Sequence, residues 1–536
     1  MSRAKYFLLW LGCWAVSIVL YSRGTGGHFL FDFNMWALRY QAMGWAGLPH
    51  SFGDNSMHHA GHIIPFILFR CLGYHAIGWT LVLNAIHSIN AVLLFITVSK
   101  LLSFYSIHRN TSIAMVTGLF FLFSPLHTEV VVWASAVWYQ VSLGLIWLSI
   151  LLYIKCLRAG WGYLPLYYAC IIVAYFTWEI SFCIPFMALL LFLILPAPTA
   201  HQWRHFIYLV LLPFLFIFFY VLLNKIRADE WVSHYGAAHH LRFSAVLIVN
   251  NTLNYLLKLS AVTALLTYIQ RDALLRFLSN PTICHILFFV ALLLGAVLLR
   301  LRGNDQFKAS RLFFLLTLSA LVPVITIYQV YAKDIEQDRY LYVASPFLYA
   351  ALVCIIYALL PIVGRYIIIV SYAGLLLFFQ QRFVQDWNTA GRVQMGLLDS
   401  FKWANAKRII IIASADNVNG AYCMRSQPYS SFAEALKAQR GIDITGKVVE
   451  LVQFNLHSLA DSMRVERLDS THIKCTFSQW GNWYWKNGYC QSGTFEHEDY
   501  SVAIDEWNHS FIATIKQPRD GDKYIYEVGD RWVEAY

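Results

Sequence analysis

Long apolar runs separated by short polar segments occupy the chain from about residue 7 to residue 382. Because a helix needs roughly 20 apolar residues to cross the hydrocarbon of a bilayer, each run predicts a transmembrane helix. We predict about eleven of them, beginning near residues 7, 77, 113, 129, 162, 180, 206, 282, 312, 340 and 365. The predicted fold class is therefore an all-α polytopic membrane bundle.

The pattern changes after the last apolar run. Short β-like runs follow, at residues 408–413, 448–453, 473–477 and 524–528, and their alternation is typical of strands. We therefore predict a transmembrane domain at 1–385, a linker at 386–401 and a small soluble domain at 402–536, either α+β or mostly β.

One apolar segment, 245–269, does not fit the regular pattern. It is long enough to span, yet it carries Asn250, Asn251, Asn254 and Lys258. Polar segments at membrane depth usually line a cavity or lie at the interface. An interfacial or re-entrant helix is our interpretation.

Composition excludes a water-soluble globular protein, because 58% of the 536 residues are hydrophobic, 13% are charged and the mean hydropathy is +0.52. The net charge of +10 belongs to the membrane part, since residues 402–536 hold 15 basic and 17 acidic residues. Basic residues that flank apolar spans indicate topology rather than nucleic-acid binding. We predict a multi-pass protein with a cytoplasmic N-terminus and an extracytoplasmic C-terminal domain, in a bacterial inner membrane with that domain in the periplasm.

With this topology, twelve of the thirteen acidic residues before residue 402, all but Asp305, fall at the outer ends of helices. Carboxylates avoid hydrocarbon, but that alone does not place them on one side. The pattern predicts a polar cavity that opens outward.

Asp32 lies soon after the first span, in a loop at 21–62. A carboxylate held there could take the proton of an acceptor hydroxyl; the alternative is an exposed or helix-capping residue. His58, His59 and His62 in the same loop match a metal site only loosely. No cofactor is firmly implied, and a divalent metal is not supported.

Further along the chain, His127 and Glu129 lie at the outer end of one predicted helix, and Glu179 lies at the outer end of another. Capping competes with a functional role for both carboxylates. Arg339 stands at the outer mouth of the tenth span, where a guanidinium suits a lipid phosphate. Its alternative partner is Asp338 or Glu336, and Arg242 and Lys258 could add to an anion site.

Four segments in this order resemble the TMTC proteins, membrane O-mannosyltransferases of the GT-C superfamily. They are Tyr74-His75 with Asn84 and His87, the run from Pro125 to Ser135, Glu179 with Pro185, and the run from Asp338 to Tyr342 with Ser345. The resemblance implies a GT-C-like fold, a catalytic Asp32 and a polyprenyl-phosphate sugar donor with Arg339 on its phosphate. Ser124 and Trp178 stand where that family has His and Lys, and its tetratricopeptide repeats are absent.

From these observations we predict a hexosyltransferase of GT-C type, active in protein glycosylation. It moves a mannose-like sugar from a polyprenyl phosphate to a protein or glycan acceptor, with inversion, on the extracytoplasmic side. Asp32 is the predicted base; Arg339, Lys258 and Arg242 bind phosphate; His127, Glu129, Glu179, Asp338 and Tyr340 shape the site. The alternatives are a transporter or flippase for a lipid-linked glycan and a catalytically silent relative. Polar residues concentrated at one end favour the enzyme.

Overall fold

The structure is a computed structural model. The structure describes residues 3–45, 59–105, 107, 109–195, 202–229, 231, 244–260, 304–326, 338–424, 431–456, 458–460, 463–477, 483–485, 488–489, 493–505 and 508–535, with isolated residues between 265 and 293.

Before residue 401, the regular elements of the described chain are all helical. The α-helices are α1 (Arg3–Tyr21), α2 (Asp32–Met43), α3 (His59–Leu72), α4 (Ala76–Leu102), α5 (Asn110–Phe123), α6 (Thr128–Val132), α7 (Val137–Ala159), α8 (Leu164–Thr177), α9 (Ile184–Ile194), α10 (Gln202–Phe206), α11 (Leu212–Ala228), α12 (Ala245–Leu259), α13 (Asp305–Ile325), α14 (Ser345–Leu359) and α15 (Ile362–Ser400). Short 3₁₀ turns precede several of them, including Ser22–Phe29, Pro125–His127, Glu179–Cys183 and Asp338–Leu341.

Six helical segments in the described chain are long and apolar enough to cross a bilayer. They are Ala4–Phe29, Ala76–Tyr105, Ala134–Arg158, Trp203–Arg227, Asp305–Ile325 and Ile362–Ser400. Four shorter apolar helices also occur, and the span predicted near residue 282 lies largely outside the described residues. A multi-pass membrane bundle is confirmed, while the figure of about eleven spans stays a prediction.

A sharp bend separates α5 from α6. Together, Asn110–Phe123 and Pro125–Val132 pass the same length and hydropathy test, with a 58° break between them. Pro125 explains the break, because proline has no backbone N–H to donate to the preceding turn. The bend turns Glu129 out of the axis of α5 and into the polar end of the bundle.

The polar segment predicted to be interfacial contains α12. Its 15 residues span about 22 Å, which is less than a bilayer core of about 30 Å. Asn251 Nδ2 donates to the carbonyl of Ile325 at 2.9 Å, at the end of α13. The polar side of α12 therefore faces protein, and an interfacial or re-entrant position stays our prediction.

A single 39-residue helix, α15, joins the membrane bundle to the soluble domain. At 1.5 Å per residue it is about 58 Å long, roughly twice the bilayer core. The predicted linker, 386–401, consists of the last part of this helix, which ends at Ser400, and the residue that follows it. Gly391 lies against the carbonyl of Gly26, so only a residue without a Cβ fits there.

The soluble domain contains one helix, α16 (Ser431–Arg440), and a series of strands. The strands are β1 (Ile409–Val418), β2 (Ala421–Tyr422), β3 (Val448–Leu456), β4 (Met463–Arg467), β5 (His472–Phe477), β6 (Trp483–Trp485), β7 (Gly488–Tyr489), β8 (Gly493–Glu496), β9 (Tyr500–Asp505), β10 (Ser510–Ile515), β11 (Lys523–Val528) and β12 (Arg531–Glu534). The predicted strands fall in β1, β3, β5 and β11, which confirms the β-rich tail.

These strands make two sheets. One has the order β12-β11-β1-β3-β6-β7 with β2 paired to β1, and the other has the order β4-β5-β10-β9-β8. β1 is parallel to both β3 and β11, and α16 connects β1 to β3. Every residue of β1 is buried, as expected for a central parallel strand.

The soluble domain packs on the membrane bundle at several points. α16 lies against α2, where Gln439 Nε2 donates to Asn34 Oδ1 at 2.8 Å. The backbone N–H of Trp532 donates to Ser400 Oγ at 3.0 Å. Arg339 donates to both Glu129 and Tyr422 of β2, which pairs with the carboxyl end of β1, so that end of the strand lies near Glu129.

Candidate active site

Asp32 is the first residue of α2, and the geometry around it is strained. Phe31, at the N-cap position, has φ 51° and ψ −126°, a conformation that costs a non-glycine residue of order 1–3 kcal/mol. Such strain concentrates at functional sites, where the surrounding structure enforces it. No side-chain capping hydrogen bond is made at this helix start. Asp32 is itself the acidic residue of the first turn, so a helix-capping role stays the alternative to a catalytic one.

The Asp32 carboxyl is removed from water. Its Oδ1 is buried and has no hydrogen-bond partner within the described chain. Burial raises the pKa of Asp32 from 3.8 to about 7, and the Ser135 hydroxyl and the Arg339 charge offset part of that rise. A carboxyl with a pKa near neutrality is suited to accept a proton at physiological pH.

Arg339 lies in the 3₁₀ turn Asp338–Leu341 and forms an ion pair with Glu129. Its Nη1 donates to Glu129 Oε1, and its backbone N–H donates to Glu129 Oε2 at 3.0 Å. The same Nη1 donates to the hydroxyl of Tyr422, in β2, at 2.6 Å. The expected alternative partner, Asp338, pairs with another residue, and Glu336 lies outside the described residues.

Aromatic rings surround the Arg339 guanidinium. The Cζ atom lies 5.0 Å from the ring centre of Tyr340, 5.6 Å from Tyr422 and 5.7 Å from Trp133. Each distance is within cation–π range. Phe31 packs on two of the same rings, at 5.3 Å from Tyr422 and 6.1 Å from Trp133. Phe31, next to Asp32, and Arg339 therefore contact the same two aromatic rings, those of Trp133 and Tyr422.

A second cation stands beside this pair. Lys258, in α12, lies 3.4 Å from Asp338 Oδ1, and both side chains are nearly buried. Two of the three predicted phosphate-binding residues, Arg339 and Lys258, therefore come from neighbouring elements that meet near Asp338. The third, Arg242, lies outside the described residues.

A small pocket opens between the bundle and the soluble domain. Its carboxylate lining comes from Glu129, Asp338 and Asp386, and Thr128 and Asn419 add a hydroxyl and an amide. Thr128 Oγ1 is buried with no hydrogen-bond partner among the described residues. The pocket volume of about 20 Å³ holds one or two waters. It is too small for a sugar ring.

Two other predicted site-shaping residues, His127 and Glu179, are not among the residues that line this pocket. His127 is fully buried, and both ring nitrogens are within hydrogen-bond distance of partners: Phe121 O at 2.8 Å and Ser345 Oγ at 2.7 Å. It holds α6 to α14 rather than facing the pocket. Glu179 Oε1 accepts from the Tyr220 hydroxyl at 3.4 Å. The neighbouring Trp178 stacks on Trp138. A direct role for either residue stays a prediction.

Two residues of the soluble domain were missed by sequence reasoning. Tyr422 contacts Arg339, as described above. Glu434, in α16, is half-buried, and burial raises the pKa of its carboxyl to about 7, with Arg39 lowering it and Asp32 raising it. No local motif marks either one, because their importance comes from docking of the soluble domain onto α2.

Among the described residues, no group of three or more His, Cys, Asp or Glu side chains is arranged to hold a metal ion. His62 packs on Trp36 at 4.3 Å and lies 3.3 Å from the Tyr40 hydroxyl. The side chains of His58 and His59 lie outside the described part of the chain.

Comparison with known proteins finds no matching family model and no matching curated protein. Two solved structures are similar in part. One is the arabinofuranosyltransferase AftD from Mycobacteria, with a TM-score of 0.43 and 11% identity over 98% of this chain and 41% of that one. The other is ArnT from Cupriavidus metallidurans bound to undecaprenyl phosphate, with a TM-score of 0.35 and 13% identity over 87% and 97% of the two chains.

The chain thus spans about two fifths of the length of AftD. Both TM-scores are too low to establish a shared fold. Neither likeness assigns an activity to this chain.

Proposed function

We propose that this chain is a membrane glycosyltransferase of GT-C type. It transfers a mannose-like sugar from a polyprenyl phosphate to a hydroxyl-bearing protein or glycan, with inversion at the sugar carbon, on the extracytoplasmic side. The observation that carries the proposal is the buried Asp32 carboxyl near the charge of Arg339, whose Oδ1 has no hydrogen-bond partner among the described residues.

In the proposed reaction, Asp32 accepts the proton of the acceptor hydroxyl as that oxygen bonds to the anomeric carbon. The bond from this carbon to the phosphate oxygen breaks, and the polyprenyl phosphate leaves with the electron pair. Three features support Asp32 as the base: its raised pKa, an Oδ1 without a partner in the described part of the chain, and the strained backbone at Phe31.

Arg339 supports the leaving-group side of the reaction. A guanidinium binds phosphate oxygens through forked, charge-assisted hydrogen bonds. Lys258 adds a second positive charge nearby, because it pairs with Asp338, the residue before Arg339. In the structure Glu129 holds the position that a phosphate would take on Arg339. A donor phosphate must therefore replace a carboxylate of the protein, exchanging one anion for another.

The test is transfer of a radiolabelled sugar from polyprenyl-phosphate donors in reconstituted vesicles, with mannosyl phosphate lipid as the first donor. The natural chain is expected to make a labelled acceptor product, and Arg339→Gln to lose most of the activity at low donor concentration. Lys308→Gln, at an exposed ion pair with Asp305, is the matched control. Movement of the lipid-linked sugar across the bilayer without product would replace this proposal by a flippase.

A further inference from the structure

We propose that Tyr422 of the soluble domain is a positioning residue of the donor site, whose hydroxyl holds the Arg339 guanidinium in place for the lipid phosphate. The inference rests on the proposed function, because it assigns Arg339 to the donor phosphate. It adds that the soluble domain, which no motif connects to the chemistry, completes the phosphate site.

Tyr422 reaches the membrane bundle through a tight hairpin. β1 and β2 are joined by Asn419 and Gly420, which have φ 50° and 93°. Asn-Gly with positive φ at both positions is typical of a two-residue hairpin turn, and it reverses the chain abruptly. Asn419 Nδ2 donates to Asp386 Oδ1, on α15, at 3.0 Å. The turn is thus fixed to the helix that carries the soluble domain.

The hydroxyl of Tyr422 then reaches the guanidinium. Arg339 Nη1 donates to it at 2.6 Å, while the same nitrogen donates to Glu129. When a phosphate replaces Glu129, the Tyr422 hydroxyl remains as an acceptor that holds the guanidinium in place. A pre-positioned Arg loses less conformational freedom on binding, which raises affinity for the anion.

The ring of Tyr422 also connects the two halves of the site. It contacts Phe31, Trp133 and Trp387 at centroid distances of 5.3, 5.1 and 5.9 Å. Phe31 is the strained residue next to Asp32, so one ring contacts both the neighbour of the proposed base and the phosphate-binding Arg. Tyr422 is almost completely buried, which means that the soluble domain cannot leave without opening this contact.

Conservative and drastic substitutions separate the hydroxyl from the ring. Tyr422→Phe keeps the ring contacts and removes the hydrogen bond to Arg339. We expect binding of undecaprenyl phosphate to weaken about tenfold, the lower end of what a hydrogen bond to a charged group provides, with kcat at saturating donor changed less than twofold. Tyr422→Ala also removes the ring beside Phe31 and is expected to lower kcat as well. Tyr526→Phe, in β11 of the same domain, is the control.

The experiment measures binding of labelled undecaprenyl phosphate to the full chain in lipid nanodiscs, alongside transfer kinetics. Tyr422→Phe is also made in an Arg339→Gln background, where it should have no further effect on binding. Equal binding by the natural chain and Tyr422→Phe, with a clear loss in Arg339→Gln, overturns the role of Tyr422 alone. Unchanged binding in Arg339→Gln overturns the phosphate assignment in the proposed function.

Discussion

The ion pair between Glu129 and Arg339 yields a stability prediction that does not depend on any activity. The Glu129 side chain is 6% exposed and that of Arg339 is 16% exposed. Arg339→Gln leaves a buried carboxylate without its cation, although the backbone N–H of residue 339 still donates to Oε2. Removing one partner of a buried ion pair lowers the free energy of unfolding by about 3–5 kcal/mol. We expect a loss of about 3 kcal/mol for Arg339→Gln, because the backbone donor remains.

The reciprocal change should cost less. Glu129→Gln leaves the guanidinium with the Tyr422 hydroxyl and three aromatic faces, and we expect a loss of about 1.5 kcal/mol. The double variant Glu129→Gln with Arg339→Gln removes both charges together. It should therefore be more stable than Arg339→Gln alone, since no unpaired buried charge remains.

Thermal unfolding in one detergent, followed by tryptophan fluorescence, ranks the stability of the natural chain, the two single variants and the double variant. The control variant is Lys308→Gln, which breaks an ion pair whose side chains are 57% and 45% exposed. This variant should lose less than about 1 kcal/mol of unfolding free energy. A double variant that melts no higher than Arg339→Gln would refute the reasoning, because the cost would then not arise from an unpaired charge.

Two further predictions concern Asp32 and Gly391. The transfer rate should rise as pH increases through about 7, because the base must be ionised and burial raises the pKa of Asp32 to about 7; Asp305→Asn should keep this profile. The folded Asp32 carboxyl keeps its proton to about pH 7 and the unfolded one only to about pH 4, so stability should decline as pH rises through that window. In melting scans at pH 5 and pH 8, Asp32→Asn should reduce this decline. Gly391→Ala should lower the melting temperature by several degrees, since its Cβ would meet the backbone of Gly26, whereas Gly374→Ala, where a Cβ meets nothing, should not.

The parts of the fold that follow from local pattern were predictable from the sequence. Apolar runs marked the membrane helices, and period-two runs marked β1, β3, β5 and β11. The bend at Pro125 and the short α12 with its asparagines also agree with local chemistry. In each case the decisive residues are neighbours in the chain.

Contacts between distant segments were not predictable. The alternative protein partners considered for Arg339 were its near neighbours Asp338 and Glu336, yet the ion pair forms with Glu129, 210 residues away. Tyr422 and Glu434 belong to a domain whose docking leaves no periodic signal. His127 lay in the right segment, but its two hydrogen bonds turn it into the core, and only the packing of α6 on α14 decides that.

The most direct test of the central claim is the transfer rate of Asp32→Asn against that of the natural chain, at saturating lipid donor and pH 8. Asparagine keeps the size of the side chain and cannot accept the acceptor's proton. The account predicts a loss of at least 100-fold, consistent with the contribution of about 10² to 10⁴ typical of a general base, with undecaprenyl phosphate binding unchanged. Full transfer by Asp32→Asn would contradict it.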